Sequence, residues 1–290
     1  MENGSQSSDM FCPLCAASAR FFMCKNNCDI YACSACRLAF VYPVPDPVGL
    51  YTQDYFTGAA RGFGYVNYDS DKEPMVPAFR KYLRFIEALV PKHAALLDVG
   101  AATGFFISIA RQFGFEVRGV EISAYAAHQA RQKGLAVTTG TIADLPLSER
   151  FDVITMLDVL EHVRDPRQDV LRARDLLQER GVLVINTPDA GSLYARLMGR
   201  RWHLIVPPEH LHYFTRVALC ALLEDAGFEV LHVSTIGKWF TLQYILKTLH
   251  VWQGIALWKG LSQLCSTGPV SHLALPINLH DNMFVIARKR

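Results

Sequence analysis

Residues 96–105 read Leu96-Leu97-Asp98-Val99-Gly100-Ala101-Ala102-Thr103-Gly104-Phe105. An apolar run ends in a carboxylate, a glycine turn follows, and a helix starts at Phe105. A second run, from Glu116 to Val120, ends in another acid, Glu121. Strand, acid, turn, helix and second acid make half of a nucleotide-binding α/β unit, with the second acid placed to accept ribose hydroxyls. Glycine spacing then discriminates between ligands. A pyrophosphate requires glycine at the first, third and sixth positions, which here hold Gly100, Ala102 and Phe105. The phosphate cradle is degraded, and Asp98 adds a negative charge before the turn. That suits a cationic ligand.

S-adenosylmethionine (SAM) is such a ligand: it carries a sulfonium, an amino group and a ribose, and no phosphate. At these residues the chain resembles the class I SAM-dependent methyltransferases, whose first motif is acid-x-glycine-x-glycine-x-glycine. Asp98, Gly100 and Gly104 match, with Ala102 for the middle glycine. Phe151–Val163 resembles the family's fourth strand and following loop, and Gly181–Pro188 its fifth strand. The likeness runs from Leu96 to Thr235. It implies a methionine-side turn of Asp98, Gly100, Ala101, Gly104 and Phe105, with Glu121 on the ribose and Ile122 on the adenine. It also implies Leu157 and Asp158 beside the cofactor. Where the family often has an acid against the adenine amino group, this chain has Thr141. Adenine contacts then fall to backbone groups at Thr141 and Ile142, with Asp144 a further candidate.

Methyl transfer is an in-line displacement that often requires a proton to leave the nucleophile. Pro207-Pro208-Glu209-His210-Leu211-His212-Tyr213-Phe214 offers His210 as a base, with Glu209 to orient or tune it. The sugar C-methyltransferases place a similar Glu-His pair ahead of a tyrosine and phenylalanine. The alternative is that the pair ties an insertion to the core. His162 either meets the ligand or organises the loop after the fourth strand. Arg196, Arg200 and Arg201 either grip an anionic acceptor group or form a solvated helix face.

Cys12-Pro13-Leu14-Cys15 and Cys33-Ser34-Ala35-Cys36 are two CxxC pairs, the spacing that closes a four-sulfur structural zinc site. Cys24 and Cys28 lie between them and leave a second assignment open. Phe40–Pro47 is a proline-stiffened connector, followed by an aromatic stretch containing Tyr51, Tyr55 and Tyr65. Its tyrosines either cover the substrate or pack the connector onto the core. A zinc ribbon, proline connector and aromatic segment before such a core resemble the sugar C-methyltransferase-like subgroup.

The chain has 290 residues, 51% hydrophobic and 19% charged, with a net charge of +2. That composition is globular, and the charge gives no argument for a nucleic-acid partner. The first residues carry no secretory signal, so the expected location is cytoplasmic, with thiols or metal thiolates rather than disulfides. Strands alternate with helices, which predicts an α/β class: a doubly wound seven-stranded Rossmann-like sheet whose last strand is antiparallel by resemblance. The expected organisation is a zinc ribbon over 1–44, a connector over 45–75 and a SAM-binding domain over 76–290. Insertions fall near 189–214 and 237–281. The second contains an apolar run, 239–264, broken by Lys247, His250 and Lys259. It is unlikely to span a bilayer. It closes the core, covers a substrate, pairs with a subunit or lies on a membrane surface. The expected reaction is methyl transfer to a small-molecule acceptor; RNA methylation and a non-catalytic SAM-binding scaffold are the rivals.

Overall fold

The computed structural model describes residues 10–45, 52–57, 68–265 and 273–290. Tyr51, Tyr65 and Pro47 lie outside them. The N-terminal strands are β1 (Met10–Phe11), β2 (Ser18–Lys25), β3 (Cys28–Cys33) and β4 (Ala39–Val41). Asn26 and Asn27 make the β2–β3 turn with φ of 49° and 59°, left-handed values that asparagine tolerates. Two short helices, α1 (Gln53–Thr57) and α2 (Tyr68–Lys72), precede α3 (Val76–Glu87).

The main unit then alternates: β5 (Ala95–Val99), α4 (Phe105–Gln112), β6 (Glu116–Glu121), α5 (Ala124–Gln132), β7 (Val137–Thr139), β8 (Phe151–Leu157), α6 (Pro166–Leu176) and β9 (Leu177–Pro188). It continues with α7 (Leu193–Met198), β10 (His212–Tyr213), α8 (Arg216–Asp225), β11 (Phe228–Ser234), β12 (Lys238–Thr241), α9 (Leu242–Gln253), α10 (Ala256–Leu264), β13 (Ala274–Ile277) and β14 (Asn282–Lys289).

Seven strands form one sheet in the order β11-β14-β9-β8-β5-β6-β7. Its central pairs are parallel, and β14 runs antiparallel to both neighbours. Alternate residues of the central strands enter opposite cores. Leu97, Ile154 and Leu183 pack with α6 and α8, while Leu96, Val153 and Val182 pack with α3 and α4. Burial on both faces explains why these strands read as continuous apolar runs. The expected α/β architecture is the observed one.

The N-terminal strands do not form a sheet of their own. β10 extends it to the order β1-β2-β3-β4-β10, pairing His212 with Phe40 and Tyr213 with Ala39. A strand from within the segment 189–214 thus completes the cysteine-bearing sheet. The described residues of the segment 237–281 form a β12–β13 ribbon and the helices α9 and α10. Among the described residues, no helix is long and apolar enough to cross a membrane.

Candidate active site

Asp98, Glu121 and Asp158 all stand at or just beyond the carboxyl ends of parallel strands, where open α/β sheets bind ligands. Asp98 is buried, and its Oδ1 accepts a 2.6 Å hydrogen bond from Thr155 Oγ1. Burial pushes its carboxyl up to about 7; the Thr155 bond opposes this and the nearby Glu121 charge reinforces it. Glu121 accepts from the backbone N–H groups of Ala102 and Ser123, each at 2.8 Å. Burial nevertheless raises its carboxyl above the usual range. A carboxylate has about four acceptor sites, so these backbone bonds leave capacity for a ribose hydroxyl. No ion pair reaches Asp98 or Glu121 among the described residues. Two buried carboxylates without a basic partner favour a ligand that brings its own positive charge. The residues present therefore fit SAM.

The turn geometry explains the motif. Gly100 and Gly104 adopt φ of +74° and +80°, and a Cβ at Gly100 would stand 2.6 Å from Val159 Cγ2. Ala102 holds φ +48° despite its methyl, which lies in a cluster with Phe56 and Ala126. Ala101 is buried, and Phe105 begins α4. The connector is pinned to this turn. Thr103 Oγ1 donates to Asp69 Oδ1 at 2.5 Å, and Lys133 Nζ bridges Asp69 Oδ2 and the Thr103 carbonyl. Tyr55 and Tyr68 pack on Phe56, Ala102 and Ala126, so these two described tyrosines fasten the connector beside the turn.

On the adenine side Ile122 is 51% exposed at the strand end. Ile142 is buried, so only its backbone can reach a ligand. Asp144 Oδ2 accepts from both Thr141 N and Thr141 Oγ1, at 2.7 and 2.9 Å. That capping box assigns Asp144 first to holding the turn.

Leu157 ends β8 half-buried, and Asp158 follows in a left-handed conformation, φ +58°. Asn186 fixes it: the Asp158 N–H donates to the Asn186 carbonyl at 2.8 Å, and Asn186 Nδ2 donates to Asp158 Oδ1 at 2.5 Å. Tyr82 Oη in turn donates to Asn186 Oδ1 at 3.3 Å. Thr155, Asn186 and Tyr82 escaped the sequence reading. The one available signal was an amide interrupting the apolar run of β9.

His162 and His210 meet edge to face, with ring centroids 4.8 Å apart. Each Nδ1 faces a backbone carbonyl: His162 that of Glu209 and His210 that of Leu204, both at 2.8 Å. Those bonds fix Nδ1 as donor and leave Nε2 the acceptor nitrogen. Burial lowers both imidazoles, His210 to about 3, with the neighbouring His162 adding to the effect. Both rings are neutral at neutral pH. Glu161 lies beneath them, buried, accepting from Thr187 Oγ1 at 2.9 Å. Its carboxylate and the two imidazoles bring ligand atoms within 4.8 Å of one another, a donor set that also suits a divalent cation. The expected Glu209–His210 pairing is corrected: Leu204 orients His210, because the chain folds back at 204–210 and brings that carbonyl onto the ring. Burial raises the Glu209 carboxyl to about 7.

Cys12 Sγ lies 3.6 Å from Cys36 Sγ and Cys15 Sγ lies 3.5 Å from Cys33 Sγ, with all four sulfurs within 4.8 Å. Thiolates on a tetrahedral ion at about 2.3 Å stand about 3.8 Å apart, so the four fit one zinc ion. Cys24 and Cys28 sit in the β2–β3 hairpin, opposite Asp29 and Lys25, outside this cluster. Arg200 lies over the Phe22 ring, 5.7 Å from its centroid, and Arg196 is exposed. Neither observation places the arginines at the histidines.

The fold and the strand-end acids define a class I methyltransferase architecture. The family model described as "Methyltransferase domain" matches residues 76–233, and the chain belongs to that family. The ubiquinone biosynthesis O-methyltransferase of Candida albicans mitochondria is 30% identical over 166 residues, covering 48% of this chain and 51% of that protein. The ubiquinone biosynthesis O-methyltransferase of Cereibacter sphaeroides is 29% identical over 147 residues, covering 46% and 60%. The chain thus spans about half to three-fifths of the length of these curated relatives. Magnesium protoporphyrin IX methyltransferase from Synechocystis, solved with bound SAH, superposes with a TM-score of 0.54 at 17% identity, over 84% of this chain and 100% of that one. That likeness is one of fold.

Proposed function

We propose that the chain is a SAM-dependent methyltransferase acting on a small-molecule acceptor. Asp98, Gly100, Ala101, Gly104 and Phe105 take the methionine end of SAM. Glu121 takes the ribose, Ile122 and the Thr141–Ile142 backbone take the adenine, and Leu157 and Asp158 flank the donor. The sulfonium supplies the transferable methyl; everything else is positioning and proton handling by this chain. The observation that carries the reading is the pair of buried carboxylates at the ends of β5 and β6, with no ion pair to either among the described residues.

The acceptor lies on the side of His162 and His210. His210 Nε2 accepts a hydrogen bond from the group to be methylated and keeps its lone pair directed at the methyl, with the His162 ring packed against it. Glu209, whose carboxyl sits near neutrality, receives the proton. The Glu-His pair ahead of Tyr213 and Phe214 makes a nucleotide-linked sugar the first acceptor class to try; the named relatives make a hydroxyl acceptor the second. Cys12, Cys15, Cys33 and Cys36 hold a structural zinc, and the ribbon over 1–44 and connector over 45–75 serve the domain over 76–290.

The test is turnover of isotopically labelled SAM against acceptors of both classes, with calorimetry for SAM alone. His210→Gln is expected to lower kcat by ~100-fold or more with SAM affinity unchanged. Glu209 is active as the carboxylate, so kcat rises with pH through about 7, and Glu209→Gln flattens that limb. A chain that binds no SAM defeats the assignment.

A further inference from the structure

Residues 237–280 contain Lys238, Lys247 and Lys259 and no aspartate or glutamate. The remaining residues hold 26 basic and 27 acidic side chains, so the chain's positive excess resides in this one segment. It leaves the sheet after β11 and returns into β14. Since β14 is antiparallel to both β9 and β11, the segment springs from the carboxyl edge, the edge that carries Asp98, Glu121 and Asp158.

Leu246 of α9 is buried, whereas α10 leaves most of its apolar stripe open. In α10, Leu257, Leu261 and Leu264 share one stripe by the i, i+4, i+7 rule. Yet Leu257 is 62% exposed and Leu264 76% exposed, and the preceding Ile255 is 47% exposed. Ser262 Oγ donates to the Gln243 carbonyl and ties α10 to α9, while Trp258 Nε1 donates to Gln253 Oε1 at 2.8 Å across the exposed turn between the two helices. Trp239, Leu273, Leu275 and Leu279, in and beside the β12–β13 ribbon, are also exposed. Exposed apolar side chains in a segment with lysines and no acids fit the interfacial zone of an anionic bilayer. A second copy fits poorly, because a two-fold contact would bring a segment of net positive sequence charge against itself. With no helix here able to cross, the segment lies on the membrane.

We propose that the described residues of this segment, 237–265 and 273–280, are a peripheral docking surface for an anionic lipid bilayer, with Ile255, Leu257 and Leu264 entering the headgroup–acyl boundary. Docking by this segment turns the carboxyl edge of the sheet toward the bilayer, so an amphiphilic acceptor can reach the site without crossing bulk water. The surface itself does not depend on the methyltransferase reading.

The test is flotation of the full chain with phosphatidylcholine vesicles, with and without phosphatidylglycerol as a third of the lipid. Binding is expected with phosphatidylglycerol present, weakening as salt is raised. Leu257→Glu with Leu264→Glu is expected to lower the partition coefficient by at least ~tenfold, and Lys259→Glu by ~fivefold. Calorimetry with SAM checks that the variants fold. Should the double variant fail to fold, quenching of the wild-type tryptophans by brominated phosphatidylglycerol decides. The proposal is overturned if the wild type ignores anionic vesicles, if no quenching occurs, or if the folded double variant binds as well as the wild type. It is equally overturned if the double substitution dissolves a dimer and leaves vesicle binding intact.

Discussion

Asp98 shows how one buried group sets the behaviour of the cofactor end. Its carboxyl sits near 7 in the folded chain, against about 3.9 when unfolded. Between those values the folded state holds the extra proton, so this group's contribution to stability is full below about pH 4 and falls as pH rises to about 7. SAM brings positive charge and favours the ionised form. SAM affinity is therefore expected to rise with pH up to about 7 and level off above it, by up to ~tenfold per unit. Calorimetry across that range checks the slope, and Asp98→Asn should abolish it. The place of Asp98 at a strand end before a glycine turn was legible in the sequence. The state of His210 was not, because burial by 204–213 and by His162 is a contact across sequence.

At the scale of elements, β10 joins the cysteine-bearing sheet to the histidines. Val41 N donates to the Leu211 carbonyl at 2.9 Å, Leu211 N and His212 N donate to the Glu161 carbonyl, and Asn26 Nδ2 donates to the Pro207 carbonyl at 2.7 Å. The cysteine-bearing sheet therefore braces the segment that carries Glu209 and His210. Asn26→Gly keeps the left-handed turn and removes only the side-chain bond. Losing one hydrogen bond of ~1 kcal/mol is expected to raise the acceptor KM about fivefold and leave SAM affinity unchanged; equal loss of both would point to general unfolding. The two CxxC pairs were readable from spacing. That Cys24 and Cys28 stand apart was decided by the hairpin register, which places them opposite Asp29 and Lys25.

For the molecule as a whole, the two insertions are clasped at one point. Trp202 Nε1 donates to Asp281 Oδ2 at 2.9 Å, and Asp189 N donates to the Asp281 carbonyl at 2.9 Å. The segment 189–214 and the proposed lipid-docking segment thus share an anchor beside β14. Asp281→Ala leaves the buried indole N–H without its acceptor, a loss of about 1–3 kcal/mol. Urea unfolding should show that cost, and the acceptor KM should rise more than the SAM dissociation constant. A change confined to SAM binding would place the anchor elsewhere.

The sequence determined the seven-stranded sheet, the cofactor turn and the cysteine pairs. Strand periodicity, left-handed glycines and short metal-ligand spacings are local constraints, written in neighbouring residues. Tertiary structure decided what faces what: Asn186 under Asp158, His162 against His210, β10 beside β4, and Leu257 and Leu264 of α10 turned outward. Each of these joins residues brought together only when the chain closes on itself, where burial and register, rather than residue type, set the outcome.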